Sequence, residues 1–442
     1  MESVCGYLFA CLIDFTRIQG RKPLGTPSMR PKGKHTQVAD EPALCHEAVV
    51  EVEARRIESI DIFRGLNVLL MIFVDNLGLV KGLPWWTYHI PAEANGMTYV
   101  DMVFPAFLFL MGMSIPLSVR SRIAKGKTRY QIWAHVLVRS LALIVMGLFV
   151  ANAPQVDARS TGISSPVWAA LGFVSIGLCL VRFRESKHKA VFLGLRVIGL
   201  ALLVGLAASF KRVTADGHIG WLDFSDWEIL GLLGWAYLSV SAIYLVFSKR
   251  LVVLVFALAG FVLINAMSTA ERLWWLNSLP FYLKPFEAGL SSITTAGLFA
   301  SLFITDDTIA PSLRQKVGWA LGAALLLFIV GWFLRPLGIS KIRDTPTWCL
   351  YCVSANLVIA ILLYWIADVR RRARWAGLTK ITGKNALLAY FLPYIAYLIP
   401  PLGWLTADGT AGWPGVAKSA FFTSFILAAV ALLQQFKISL RI

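Results

Sequence analysis

The sequence predicts an all-α, polytopic membrane protein of about twelve transmembrane helices, and three observations carry that expectation. The chain of 442 residues is 57% hydrophobic and only 15% charged, too apolar to cover a soluble core of that size with polar surface. Apolar runs of 18 or more residues recur from Ile60 to the C-terminus, each long enough to cross the ~30 Å hydrocarbon layer. The short alternating segments that would announce a β-barrel are missing.

Taken in order, residues 7–13 are apolar, but Glu2 precedes them, Asp14 ends them and no basic segment leads in. No cleavable signal peptide is therefore expected. Residues 17–56 are rich in Pro, Lys, Arg and polar side chains and read as a disordered cytoplasmic tail. A start codon assigned too early would give the same segment. The domain plan is a basic tail over 1–56 and a transmembrane domain over 57–442. Within the latter, length and apolarity place spans at roughly 60–80, 99–119, 132–152, 165–182, 190–210, 228–247, 250–267, 286–304, 316–335, 347–367, 383–402 and 415–436. The loops between them are short, so no soluble domain interrupts the bundle.

The net charge of +17 suits nucleic acid in principle, but the basic residues cluster between spans, where membrane topology wants them, and no nucleic-acid partner is expected. "RSRIAKGKTR" (120–129), "RFRESKHK" (182–189) and "RRRAR" (370–374) fall on one side by alternation. That side carries roughly twice the Lys and Arg of the other, which makes it cytoplasmic. Both termini then face the cytoplasm and the membrane is the cytoplasmic, inner one. The outer loop 335–347 runs against the bias, with Arg335, Lys341 and Arg343. It has either a specific acidic contact or a misplaced boundary. Trp85, Trp86, Trp168, Trp227, Trp274, Trp275 and Trp413 lie near span ends and read as an interfacial belt. Six cysteines form no disulfide framework; the Cys349–Cys352 pair sits inside a span without a second pair, as small packing residues do.

Charge inside the membrane is costly and is usually functional or paired. Arg64 lies one turn inside the first span, three residues after Asp61 and on the same helical face. The two form either a local ion pair or part of an anion clamp, because a guanidinium offers planar, bidentate donors to phosphate. Asp75 and Asn76 stand near the outer end of that span. A short loop follows, "WWTYHIPAEANGMTYVDMVFP" (85–105), containing His89, Asn95 and Asp101. An imidazole titrating near neutrality can take a proton or an acyl group. A carboxylate on each flanking span, Asp75 and Asp101, can orient it, and Asn95 can donate to an oxyanion. His35, His46, His135, His188 and His218 have no such company, and neither metal-ligand spacing nor a serine elbow, P-loop or dinucleotide fingerprint is present.

These motifs have a familiar order. "RIESIDIFRG" (56–65), then a span, then "YHIPAEANGMTYVDMVFPAFLFLMGMSIPLSV" (88–119) resembles the heparan-α-glucosaminide N-acetyltransferase family and its bacterial relatives. The first motif falls on Arg56, Ser59, Asp61, Phe63, Arg64 and Gly65; the second on His89, Asn95, Gly96, Thr98, Asp101, Val103, Phe104 and Pro105. Further likeness runs through "WEILGLLGWAYL" (227–238), "KPFEAGLSSI" (284–293), "TPTWCLYC" (345–352) and "ITGKNALLAYF" (381–391). The chain departs from the family in a His-to-Asn spacing two residues longer, in Leu392 and Pro393 where a histidine is expected, and in a helical pair at about 165–210 inserted into a ten-span core.

The resemblance implies transfer of acetyl from cytoplasmic acetyl-CoA, the donor substrate, to an amino sugar of a glycan across the bilayer, with no metal. It implies His89 as the catalytic residue, as acyl carrier or as general base, supported by Asp75 and Asp101. Asn76 and Asn95 are expected at the acceptor. Arg64, Asp61, Lys384 and Asn385 are expected around the CoA phosphates. Two other readings fit the same fold: a transporter or flippase of amino sugars or lipid-linked glycans, and an O-acyltransferase. A homodimer is one assembly that the sequence leaves open.

Overall fold

In a computed structural model the described residues are 57–183, 189–214, 216–247, 250–273, 288–398, 404–436 and 438–440. The tail over 1–56, with Arg56, His35 and His46, lies outside them, as do Trp274 and Trp275. The rest is a helix bundle. Its helices are α1 (Glu58–Leu77), α2 (Val103–Ala124), α3 (Arg129–Asn152), α4 (Ser165–Leu180), α5 (Lys189–Ser209), α6 (Glu228–Phe247), α7 (Leu251–Thr269), α8 (Ala288–Thr305), α9 (Leu313–Phe333), α10 (Pro346–Tyr364), α11 (Gly377–Lys384), α12 (Ala386–Leu398) and α13 (Gly412–Gln435). Among the described residues, nine helical segments are long and apolar enough to cross a membrane; α1, α4 and α12 are the shorter or more polar remainder of the expected set. Among the described residues, strands are confined to two antiparallel pairs, Val181–Phe183 with Ile438–Leu440 and Arg212–Val213 with Ile219–Gly220.

Each expected span has its helix, with one division. The stretch expected at 383–402 is α11 and α12 separated at Asn385, whose backbone leaves the helical region (φ −122°, ψ 38°). Just ahead of the division the backbones come close: a Cβ on Gly383 would sit 2.0 Å from the Asp61 carbonyl oxygen, and one on Gly65 1.8 Å from that of Thr379. α11 therefore lies backbone to backbone on the start of α1, an arrangement open only to glycine. α2 and α8 meet the same way through Gly112 and Gly297. α8 is the buried centre: Ser291, Ser292, Thr294, Thr295 and Ser301 are all at most 1% exposed. The hydroxyls of Thr294 and Thr295 donate to carbonyls one turn back, as a polar side chain in an apolar interior must.

Loop contacts sort the helix ends into two faces. On one, Arg129 donates to the Leu245 carbonyl, Arg120 pairs with Asp306, and Asn385 donates to Gln434. Also on that face, the Asp368 carboxylate accepts the backbone N–H groups of Glu58 and Ser59 at 2.8 and 3.0 Å. Ile57 offers α1 no side-chain cap, so Asp368 supplies one from within the π-turn, Trp365–Val369, that follows α10. On the other face, Asn76 accepts from the Ala407 backbone, Asn152 pairs with Asp223, and Asn95 accepts from Ile339. The basic segments 120–129 and 370–374 belong to the first face and His89 to the second, the division that charge predicted.

The expected tryptophan belt holds only in part. Trp85, Trp86 and Trp413 are exposed, but Trp168 is 0% and Trp227 7% exposed. Trp168 stacks on Phe149 and donates to the Leu206 carbonyl. It joins α4 and α5 to α3, giving the helical pair its own small apolar core. Cys349 and Cys352 are buried, as packing residues are, with the Cys349 thiol 3.2 Å from Asp344 Oδ1.

Replacing Gly297 by valine should force α2 and α8 apart, because its Cβ would lie 1.9 Å from the Phe109 carbonyl oxygen. A loss of about 1–3 kcal/mol or more is expected, read as a lowered Tm in detergent; an unchanged Tm would contradict the packing described.

Candidate functional site

The segment after α1 folds back on the helix ends. The Tyr88 hydroxyl donates to the Val80 carbonyl at 2.6 Å and accepts from the Leu83 N–H at 3.1 Å. That closes a loop whose next residue is His89. Its Nδ1 lies 2.7 Å from Asp101 Oδ1. Asp101 sits in a 3₁₀ turn, Val100–Met102, immediately ahead of α2. Its side chain is 1% exposed against 47% for His89. A carboxylate so buried needs donors, and it has them. Oδ2 accepts the Thr98 N–H at 3.0 Å, the Thr98 hydroxyl at 3.4 Å and the Ile90 N–H at 3.5 Å. Thr98 is held in turn by the Tyr88 carbonyl. From α10, buried Trp348 donates its indole N–H to the Asp101 carbonyl at 3.2 Å.

The carboxylate thus fixes one edge of the imidazole. With Nδ1 donating to Asp101, Nε2 is the acceptor, on a ring half open to the surface. Facing it is Lys341, whose Nζ lies 3.4 Å from both ring nitrogens. Lys341 belongs to the loop between α9 and α10. That loop is tied to the His89 loop by two hydrogen bonds: the Ile339 N–H donates to Asn95 Oδ1 at 2.7 Å, and the Gly96 N–H to the Ile339 carbonyl at 2.9 Å. It is closed on itself by Ser340 and Thr345. Burial pushes the Lys341 ammonium below the usual lysine range, while the nearby carboxylates of Asp101 and Asp75 favour its charged form. Asp75, at the end of α1, interacts with the charges of both His89 and Lys341. Lys341 thus feels the charge of two carboxylates without an ion pair to either, and its direct neighbour is the imidazole of His89.

The sequence-selected residues thus divide. His89, Asp101 and Asp75 come together. Asn95 is exposed and spends its side-chain oxygen on the Lys341 loop. Asn76 is 0% exposed, with its amide oxygen accepting from Ala407 and Ser419 and its nitrogen donating to Tyr397. On the basic face Arg64 donates to Ser114 Oγ at 2.7 Å and to the Gly383 carbonyl at 3.4 Å, with Asp61 3.6 Å away. Lys384 follows directly and is exposed, whereas Asn385 is buried against Gln434. Lys341 and Trp348 were not selected. Lys341 carries a sequence signal, a basic residue on the poorer face; Trp348, within 345–352, carries none that separates it from an ordinary core tryptophan.

Comparison with known proteins adds to this geometry. The profile of a family described as Domain of unknown function (DUF5009) matches residues 56–286, just over half of the chain. The Homo sapiens protein named heparan-alpha-glucosaminide N-acetyltransferase is 39% identical over 97 residues, which is 22% of this chain and 14% of that protein. The Mus musculus protein of the same name is 38% identical over 99 residues, again 22% and 14%. The match spans only that small share of the length of these curated relatives.

Asn95→Ala should free the Lys341 loop from the His89 loop. The expected signature is faster proteolytic nicking between 334 and 345, with a Tm change below that of a core substitution, since one exposed hydrogen bond contributes about 0.5–1.5 kcal/mol. Unchanged protection of that loop would show that the clamp does not hold it.

Proposed function

We infer, for a chain that belongs to the DUF5009 family, that it is a membrane acetyltransferase moving an acetyl group from acetyl-CoA to the amine of an amino sugar. The observation that carries the reading is a half-exposed histidine held at 2.7 Å by a buried carboxylate, on the face of the bundle opposite the basic loops. The names of the human and mouse relatives support it. The bilayer is the protein's medium. The basic face is assigned to the cytoplasm of an inner membrane, where both termini lie, and the acceptor, a sugar on a glycan, is assigned to the side of His89.

The donor meets the basic face first. Arg64, with Lys384 exposed beside it, is suited to phosphate oxygens, and Asp61 orients the guanidinium. From Arg64 to Asp75 is eleven residues of α1, about 16 Å along the helix axis, a distance in keeping with an extended pantetheine arm. At the far end the acceptor amine attacks the thioester carbonyl. A C–N bond forms, the C–S bond breaks, and the sulfur leaves with the bonding pair. His89 Nε2 takes the proton that the amine must lose and returns it to the thiolate. Asp101 holds the tautomer and balances the imidazolium that forms. Asp75 adds a second negative charge facing the same ring, and Asn95 borders the open side where the sugar would lie.

The test uses the full chain in proteoliposomes, with labelled acetyl-CoA on the basic-face side and glucosamine on the other. Label should appear on the amine, and His89→Ala should lower kcat by about 10²–10⁴. Asp101→Asn should have an effect of the same order, by misorienting the ring. Label on a sugar hydroxyl would make the enzyme an O-acyltransferase. Uptake of glucosamine without label would replace the enzyme by a transporter.

A further inference from the structure

We propose that Lys341 is a further catalytic residue of the transfer, the group that binds the acyl oxygen when it becomes an oxyanion. The inference rests on the acetyltransferase reading and names a part of it that neither motif contains. Its basis is placement. The Lys341 ammonium lies 3.4 Å from Nε2 and Nδ1 alike. Nδ1 is already engaged by Asp101 at 2.7 Å, and a cation equidistant from the two nitrogens stands off the axis of the Nε2 lone pair, next to it without covering it. An amine whose proton is going to Nε2 puts the attacked carbonyl carbon beside that nitrogen, and the carbonyl oxygen in reach of a cation next to it.

Among the described residues, the titratable groups that face Lys341 are His89 from the loop after α1, Asp75 from α1, Asp101 from the turn ahead of α2, and Cys352 from α10. The two carboxylates act on the ammonium through charge and do not cover it, and Lys341 keeps part of its surface. Its loop is fixed at both ends, by Asn95 and Gly96 on Ile339 and by Thr345 on Ser340. A donor that is already oriented needs no reorganisation when charge develops, which is the condition for strong transition-state stabilisation.

The step balances as follows. The amine nitrogen bonds to the carbonyl carbon and the π pair moves onto oxygen, where Lys341 donates a hydrogen bond to it. The amine proton passes to His89 Nε2. The oxygen pair then re-forms C=O, the C–S pair leaves with sulfur, and the proton on Nε2 goes to the thiolate. Lys341 ends as it began. Its burial and lowered proton affinity strengthen the hydrogen bond that it gives.

The experiment measures steady-state acetyl transfer by the purified full-length protein, with acetyl-CoA and glucosamine each varied. Lys341→Met should lower kcat by about 10²–10³ while both KM values stay within about threefold. Lys341→Arg should restore at least about tenfold of that loss. Lys341→Cys alkylated with 2-bromoethylamine, which rebuilds an ammonium at nearly the same reach, should recover activity that the unalkylated variant lacks. These two decide the matter if the Met variant does not fold. A Met variant within about threefold of wild-type kcat, a loss confined to KM, or complete alkylation without recovery would each overturn the assignment. If the wild type transfers acetyl and His89→Ala abolishes it while Lys341→Met does not matter, only this proposal falls. If the wild type transfers none, both fall.

Discussion

A carboxylate withdrawn from water at the end of a membrane helix must find donors or be neutralised. Asp101 is 1% exposed, and the geometry around it follows from that need. Its two oxygens divide their work: one meets His89, the other collects the backbone and hydroxyl of Thr98 and the backbone of Ile90. To supply those donors, the chain after α1 must turn back over the helix ends, so the short loop is compact rather than extended. The imidazole is oriented as a consequence. Removing His89 alone would leave Oδ1 without its short hydrogen bond. Removing Asp101 would strand Thr98, Ile90 and the ring together, which makes it the more disruptive loss.

α10 extends the same constraint through the bilayer. Its first turn carries Trp348, which holds the Asp101 backbone. Past its last turn stands Asp368, which caps the N-terminus of α1. The start of α1, with Arg64 near it, and the turn that carries Asp101 are thereby referenced to a single neighbouring helix. The close glycine contacts of Gly65 and Gly383 press α11 onto α1 and bring the Gly383 carbonyl to the Arg64 guanidinium. The distance between the basic cluster and the histidine is thus set by helix packing, not by flexible loops, which suits sites that must act on one extended molecule.

Much of this was legible in the sequence, for reasons that differ by feature. Span length and apolarity are properties of single segments, and α1 through α13 fall where they indicated, apart from the break at Asn385. Beside that break Gly383 meets Asp61, a contact between residues more than 300 positions apart, which no local pattern encodes. Trp168 and Trp227 were read as interfacial because they lie near span ends; the aromatic and aliphatic partners that bury them come from other helices. His89 and Asp101 were legible as a pair because both lie in one short stretch. Asn76 and Asn385 had the right chemistry for a site, but their amides hold neighbouring elements together. Lys341 was visible only as an exception to charge bias, since its partners lie some 240 residues or more earlier in the chain.

The exception has a physical logic of its own. The bias against Lys on the poorer face applies to residues left bare in short loops. Lys341 is not bare; it stands among two carboxylates and an imidazole. Counted formally, two carboxylates (Asp75 and Asp101), one ammonium (Lys341) and an imidazole acting as a base (His89) sum to one negative charge. One proton taken up by the ring brings the group to neutrality. A cluster built that way can remove a proton from an attacking amine without accumulating charge beside the buried Asp101 carboxylate, where an uncompensated charge is costly. Without Lys341 the same site would hold two negative charges at rest and one after proton uptake, and would have no cation to meet an oxyanion. The against-bias lysine and the buried carboxylate are therefore parts of one electrostatic arrangement, and it explains why a loop between α9 and α10 is clamped onto the one that carries His89.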